Sequence, residues 1–453
     1  MKPEYAKIMM MILTKKLGER IDSTPHTLQK IEVCYMTKAG VPDTRTLGVA
    51  IPEGVTLPIP VAFVAHYGID ESTVGENELL KHGIAVAGAL NVTSEENAKM
   101  ADDDLYFNSA CVDVLRGMPE VDRSKLIITG GSAGGFMTMM LTAIHLNIAA
   151  SICNSGVLNF YFTGNYASAI NKINYEALRM VSEEPGRDLQ KLIELVPFPL
   201  HGSVFSTFGD SHANDDEYKD RMKVGSEFSP VYYYDCYSNP VLFTHYTADS
   251  LVPIDQITKK YTYEVNGNSI PRELSTRMSD YDLPAGADKA MDELLPSDQI
   301  HMTCIKVKEI GAGTTLQAPF DPEKKYNFVI CDDGAVEAYY GHMAYETCQL
   351  GIAEYAVRML KNAPEARYDL SREKLLLMME RYAGTSKLIP SFINEDNNVY
   401  GTPEMNKRSV LSELKDYVKD TGNIDALRKL LGEVAEDHPE LQEAVEECKT
   451  LLL

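Results

Sequence analysis

A chain of 453 residues with 44% hydrophobic residues can bury a large core and exceeds one ordinary domain. Its net charge of −23 excludes nucleic acid and an anionic membrane surface as natural partners, because both reward clustered Lys and Arg. The eight cysteines form no C-x-x-C pair and no dense framework, which predicts reduced thiols and a cytoplasmic protein.

In chain order, Ile8–Leu13 is apolar, but Glu4 precedes it and Lys15-Lys16 ends it, so an amphipathic helix over 3–20 is predicted within an N-terminal segment 1–30. No run approaches the roughly 18 apolar residues of a membrane span, so no membrane partner is expected. Ile31–Met36 and Arg45–Pro52 read as a hairpin turning at Gly40-Val41-Pro42-Asp43. Pro60–His66 and Gly83–Ala89 are continuous apolar strands, suited to a parallel sheet covered on both faces. Asp102–Arg116 reads as a helix, Leu126–Ile128 as a buried strand, Phe136–Ile144 as a buried helix and Ala149–Asn154 as the next strand. This alternation predicts an α/β chain with a doubly wound, mostly parallel sheet.

The rhythm breaks over 157–235, where Tyr166–Val181 and Leu189–Val196 have helical patterns. It resumes at Pro240–His245, breaks again over about 258–320 with helical and loop-like parts, and closes with the last core strand, Tyr326–Cys331, and a helix over Met343–Lys361. The core is thus expected over 31–156 and 236–362. Beyond it, 363–453 reads as a helical extension with amphipathic segments at Leu370–Ala383, Ser409–Lys419, Ile424–Glu436 and Pro439–Leu453. It is expected to pack on the core or to join subunits of a homo-oligomer.

The chemistry centres on Gly130-Gly131-Ser132-Ala133-Gly134, which has the G-x-S-x-G pattern between a predicted strand and a predicted helix. A serine on so sharp a turn has strained backbone angles, and neighbouring side chains would collide with the strand or helix beside it. Gly130, Gly134 and Gly135 remove those side chains. With Val121-Asp122-Arg123-Ser124-Lys125 ahead of it, this stretch resembles the α/β-hydrolase superfamily, most of all its prolyl-oligopeptidase-like, dienelactone-hydrolase-like and acetyl-esterase-like branch. The resemblance implies an α/β-hydrolase fold with 157–235 as a cap.

It also implies a triad in the order Ser, acid, His. Asp249, in Thr247-Ala248-Asp249-Ser250-Leu251-Val252-Pro253, occupies the acid-bearing turn, although an aspartate there also suits a helix cap. Asp255 is the fallback acid. His342, in Tyr340-Gly341-His342-Met343, is the one of ten histidines that fits the position of the base. His66 and His245 end core strands and are expected to orient loops. Backbone donors for an oxyanion are expected from Ala133 and from Tyr67 or Gly68, and the Tyr67 hydroxyl is a further candidate. No H-E-x-x-H, paired Cys or clustered His suggests a metal, and no phosphate-binding spacing suggests a nucleotide, so no cofactor is expected. The resulting expectation is a serine hydrolase acting on a small ester or amide. The alternatives are a peptidase, an acyltransferase with the same triad, or a non-catalytic binding protein.

Overall fold

The computed structural model describes residues 24–70, 77–92, 103–160, 163, 228–247, 249, 252–261, 264–265, 268–269, 289–306, 320–332, 345–361, 369–395 and 398–452. The expected N-terminal helix and the two expected helices of the 157–235 stretch lie outside these residues.

The hairpin forms as expected. β1 (His26–Met36) pairs antiparallel with β2 (Pro42–Pro52), from Met36 opposite Pro42 to His26 opposite Pro52. Next come β3 (Ile59–Ile69), α1 (Asn77–Lys81), β4 (Ala85–Leu90), α2 (Asp103–Gly117), β5 (Val121–Gly131), α3 (Ala133–Ile144) and β6 (Ala150–Asn154). β7 (Val241–Tyr246), β8 (Ile300–Lys306) and β9 (Tyr326–Asp332) complete a nine-stranded sheet. Its spatial order is β1-β2-β4-β3-β5-β6-β7-β9-β8. From β4 to β8 every pairing is parallel, so the carboxyl ends of these strands share one rim.

Side-chain alternation explains the two covered faces. On β3, Val61, Phe63 and Ala65 pack with α2 and α3, whereas Ala62, Val64 and Ile69 join the opposite cluster, which includes Ala353, Tyr355 and Met359 of α4 (Tyr345–Lys361). β5 divides its residues the same way, with Leu126 and Ile128 on one face and Ile127 on the other.

β8 is an addition to the sequence reading, which placed only helical and loop-like structure in its stretch. It is an edge strand, with Ile300 and Met302 packed on one cluster and Ile305 on the other, and its polar residues His301 and Thr303 leave no continuous apolar run to announce it.

The C-terminal helices α5 (Arg372–Ala383), α6 (Pro403–Thr421), α7 (Ile424–Asp437) and α8 (Gln442–Leu452) form where helices were predicted, α6 starting six residues before the expected Ser409. They bury their own cluster, including Leu375, Met379, Leu414, Leu431 and Val445, and Leu146 of the core joins it. They sit against the carboxyl end of α3. Lys374 Nζ, fully buried, donates to the carbonyls of Thr142 (2.7 Å), Ala143 (2.7 Å) and His145 (2.5 Å), which α3 itself leaves unsatisfied. Among the described residues no helix is long and apolar enough to cross a membrane. Among the described residues seven cysteines are free thiols.

Candidate active site

β5 runs into α3 through Ser132 alone. Its backbone has φ 56° and ψ −120°, a region that a non-glycine residue enters only at a cost of about 1–3 kcal/mol. Three backbone hydrogen bonds hold it there: Ser132 N–H donates to Asn154 O (2.9 Å), and Ser132 O accepts from Phe136 N–H (3.1 Å) and Val157 N–H (3.3 Å). The glycines are required by close approach. A Cβ on Gly130 would collide with the Gly134 carbonyl, and one on Gly134 would lie 2.7 Å from Ala65 O and 3.4 Å from the Tyr67 ring. One on Gly135 would meet Gly156 Cα at 2.6 Å. The elbow is therefore wedged between the turn at the end of β3 and the segment after β6.

The β3 turn is a bulge. Val64 pairs with Gly88 and Ile69 with Leu90, so five steps along β3 face two along β4. The excess residues include His66, φ 68°, and Gly68, φ 64°. Tyr67 lies between them. Its ring is 41% exposed, yet its hydroxyl reaches inward and is hydrogen-bonded to the Ser132 side chain and to the backbone N–H of Ala133. Burial of the hydroxyl raises the phenol pKa, and those two donors offset part of the rise. Ser132, Ala133 and Tyr67 are thus brought together, with Gly68 the next residue in the turn.

Asp249 follows β7 and is fully buried. Its Oδ1 accepts Val252 N–H at 2.8 Å, three residues on, a local contact that closes the loop. Its Oδ2 lies 3.5 Å from His245 Nε2, which donates to Val252 O at 2.7 Å. His245 thus orients the loop, as expected of it. The helix expected here is one 3-10 turn, Ile254–Gln256, and Asp255 in that turn is half-buried. His342 lies outside the described residues.

Sequence reasoning missed two supports. Gln256 Oε1 accepts the N–H groups of Leu158 and Asn159, both at 2.9 Å, tying the segment after β6 to the loop of Asp249. Asp104 and Asn108 of α2 hold His66. Neither carries a local signal, because each acts on a residue 38 or more positions away.

Asp113, His145 and Glu413 offer ligand atoms within 4.8 Å of one another. Their chemistry does not suit a cation. His145 Nδ1 donates to Glu413 Oε1 (2.9 Å), its Nε2 meets the Ser109 hydroxyl (2.8 Å), and Arg116 and Arg381 sit 2.9 Å from Glu413 and Asp113 respectively. Burial lowers the His145 pKa, against the opposing pull of Glu413.

No protein-family model and no curated protein matches the chain. Solved structures similar to it include puromycin hydrolase, at 12% identity over 74% of this chain and 39% of that one, TM-score 0.37. Acylaminoacyl peptidase of Pyrococcus horikoshii shares 13% identity over 79% and 44%, TM-score 0.38. 2,6-Dihydroxy-pseudo-oxynicotine hydrolase shares 15% over 78% and 72%, TM-score 0.39. The chain spans less than half the length of the first two. Likenesses this loose carry no weight, and the fold rests on the molecule's own geometry. The doubly wound sheet, the left-handed serine between β5 and α3, and the bulged turn after β3 facing it make this an α/β-hydrolase fold.

Proposed function

We propose that the chain is a serine hydrolase that cleaves a small ester through an acyl-enzyme. The observation that carries this reading is the strained Ser132, with the Tyr67 hydroxyl facing both its side chain and the Ala133 N–H. Strain of this kind persists only where the surroundings enforce it. Here it lifts a hydroxyl to the rim where the parallel strands end.

Ser132 attacks the carbonyl carbon, His342 takes the proton, and Asp249 orients the imidazole and stabilises its charged form. Protonated His342 then returns the proton to the leaving alcohol, and water releases the acid by the same route. The Ala133 N–H faces the Tyr67 phenol oxygen. An incoming carbonyl oxygen takes over that N–H and receives the phenol O–H as its second donor. Two donors meeting the developing negative charge lower the barrier, and loss of one such donor costs about 10²–10³ in rate. The setting is cytoplasmic, and the substrate is a small molecule.

Labelling with a fluorophosphonate probe, followed by p-nitrophenyl ester hydrolysis, tests the reading. The wild-type chain should label and turn over, and Ser132→Ala should do neither. Loss of the nucleophile costs about 2 × 10⁶ in kcat in subtilisin. A folded Ser132→Ala protein that kept more than about a tenth of wild-type activity, far above that expectation, would remove Ser132 from the mechanism.

A further inference from the structure

The turn that presents Tyr67 is held by charged groups from two other elements. Asp104, in the first turn of α2, is 1% exposed. Its Oδ2 meets His66 Nδ1 at 2.6 Å, and its Oδ1 meets Arg45 Nη1 of β2 at 2.9 Å. The Arg45 guanidinium lies 4.1 Å over the Phe107 ring. Asn108, one turn along α2, accepts the His66 backbone N–H at 3.1 Å and donates to the Asp104 carbonyl at 2.7 Å.

This arrangement fixes the imidazole. The Asp104 carboxylate oxygens accept from Arg45 Nη1 on one side and face His66 Nδ1 on the other, so His66 donates through Nδ1. Its Nε2 is then a lone pair, buried without a hydrogen-bond partner. The ring meets Tyr67 edge-on, with centroids 4.6 Å apart.

A buried charged pair is a poor route to stability, because desolvation offsets most of the attraction and well-packed apolar residues do as well. What the pair adds is direction. His66 sits at φ 68°, where a non-glycine residue resists staying. Holding both its backbone N–H and its ring sets the angle at which the next residue leaves the turn. That next residue is Tyr67, whose ring lies against the elbow.

We propose that Asp104, acting through His66, is a positioning residue that aims the Tyr67 hydroxyl at the reacting oxygen; this rests on the serine-hydrolase reading above. Arg45 holds the other carboxylate oxygen, and Asn108 pins the backbone of the same turn.

The test is a double-mutant cycle on p-nitrophenyl ester hydrolysis, with fluorophosphonate labelling rates beside it. Asp104→Asn keeps the shape and loses the charge. It should lower kcat by about tenfold or more and leave KM within about twofold, because the effect belongs to the transition state. In a Tyr67→Phe background the same substitution should change kcat by less than about twofold, since no hydroxyl remains to be aimed. A role in stability alone would give the same factor in both backgrounds. Arg45→Lys, which keeps a cation beside Asp104 but loses the rigid fork, runs the same cycle if Asp104→Asn does not fold. Equal losses in both backgrounds, unchanged kcat in Asp104→Asn, or wild-type kcat in Tyr67→Phe would overturn the assignment. A wild-type chain inert to the fluorophosphonate would overturn the hydrolase reading and this proposal together, whereas a reactive chain with an unchanged Asp104→Asn rate overturns this proposal alone.

Discussion

At the scale of single residues, Asp249 carries two roles that can be separated. Its Oδ1 bond to Val252 N–H closes the loop, and an asparagine Oδ1 accepts that N–H as well. A triad acid needs its charge, and in a serine protease the change to asparagine lowers kcat by about 10⁴. Asp249→Asn should therefore lose kcat by orders of magnitude with little change in melting temperature, while Asp255→Asn, in the same loop, should lose less than about tenfold. If the two variants exchanged behaviours, Asp255 would be the acid. At this scale the elbow was legible because its chemistry is local: six consecutive residues contain the nucleophile and the glycines that admit it. The brace on Tyr67 was not legible. Arg45, His66 and Asp104 are scattered in sequence, and only the sheet and α2 bring them together.

At the scale of elements, the C-terminal helices were legible as spans and hidden as contacts. Glu413 on α6 and Lys374 on α5 read as parts of a solvated polar face, yet both are buried. Burial is the main cause that pulls Lys374 down to about 7, and burial would by itself raise Glu413. For Glu413 the Arg116, His145 and Arg381 groups more than reverse this, holding its carboxyl well below the usual range. The carboxylate also accepts Leu146 N–H at 2.5 Å. Glu413→Gln leaves two arginines under-compensated and should cost about 3–5 kcal/mol by chemical denaturation. A depressed folded-state pKa contributes stability that is complete above the unfolded value of about 4.3 and is lost as pH falls through the folded value. The gap in stability between wild type and Glu413→Gln should therefore shrink as pH drops from about 5 towards 2. A gap that stayed constant over that range would mean the carboxylate charge is not what α6 contributes.

At the scale of the whole molecule, the extension looks detachable in sequence, with strands before it and only helices within it. Its contacts argue otherwise. Leu388 and Ile389 belong to the main cluster under α2 and α3, and Leu146 belongs to the helical one, so the two cores interpenetrate. Tyr400 pairs with the sheet's first strand, accepting Met36 N–H at 2.8 Å and donating to Cys34 O at 3.0 Å. Without the extension, β1 exposes an edge, three carbonyls at the end of α3 lose Lys374, and Arg116 loses Glu413. Each loss costs about 1–3 kcal/mol or more, against a total stability of roughly 5–15 kcal/mol for a folded domain. A chain ended after residue 362 should therefore aggregate or populate a loose state without a cooperative thermal transition, and should not label with a fluorophosphonate. The matched control is Lys374→Met in the full chain, which removes one anchor and should fold with a lowered melting temperature and keep its labelling. A soluble 1–362 chain that unfolded cooperatively and labelled at the wild-type rate would show that the elbow stands without these helices.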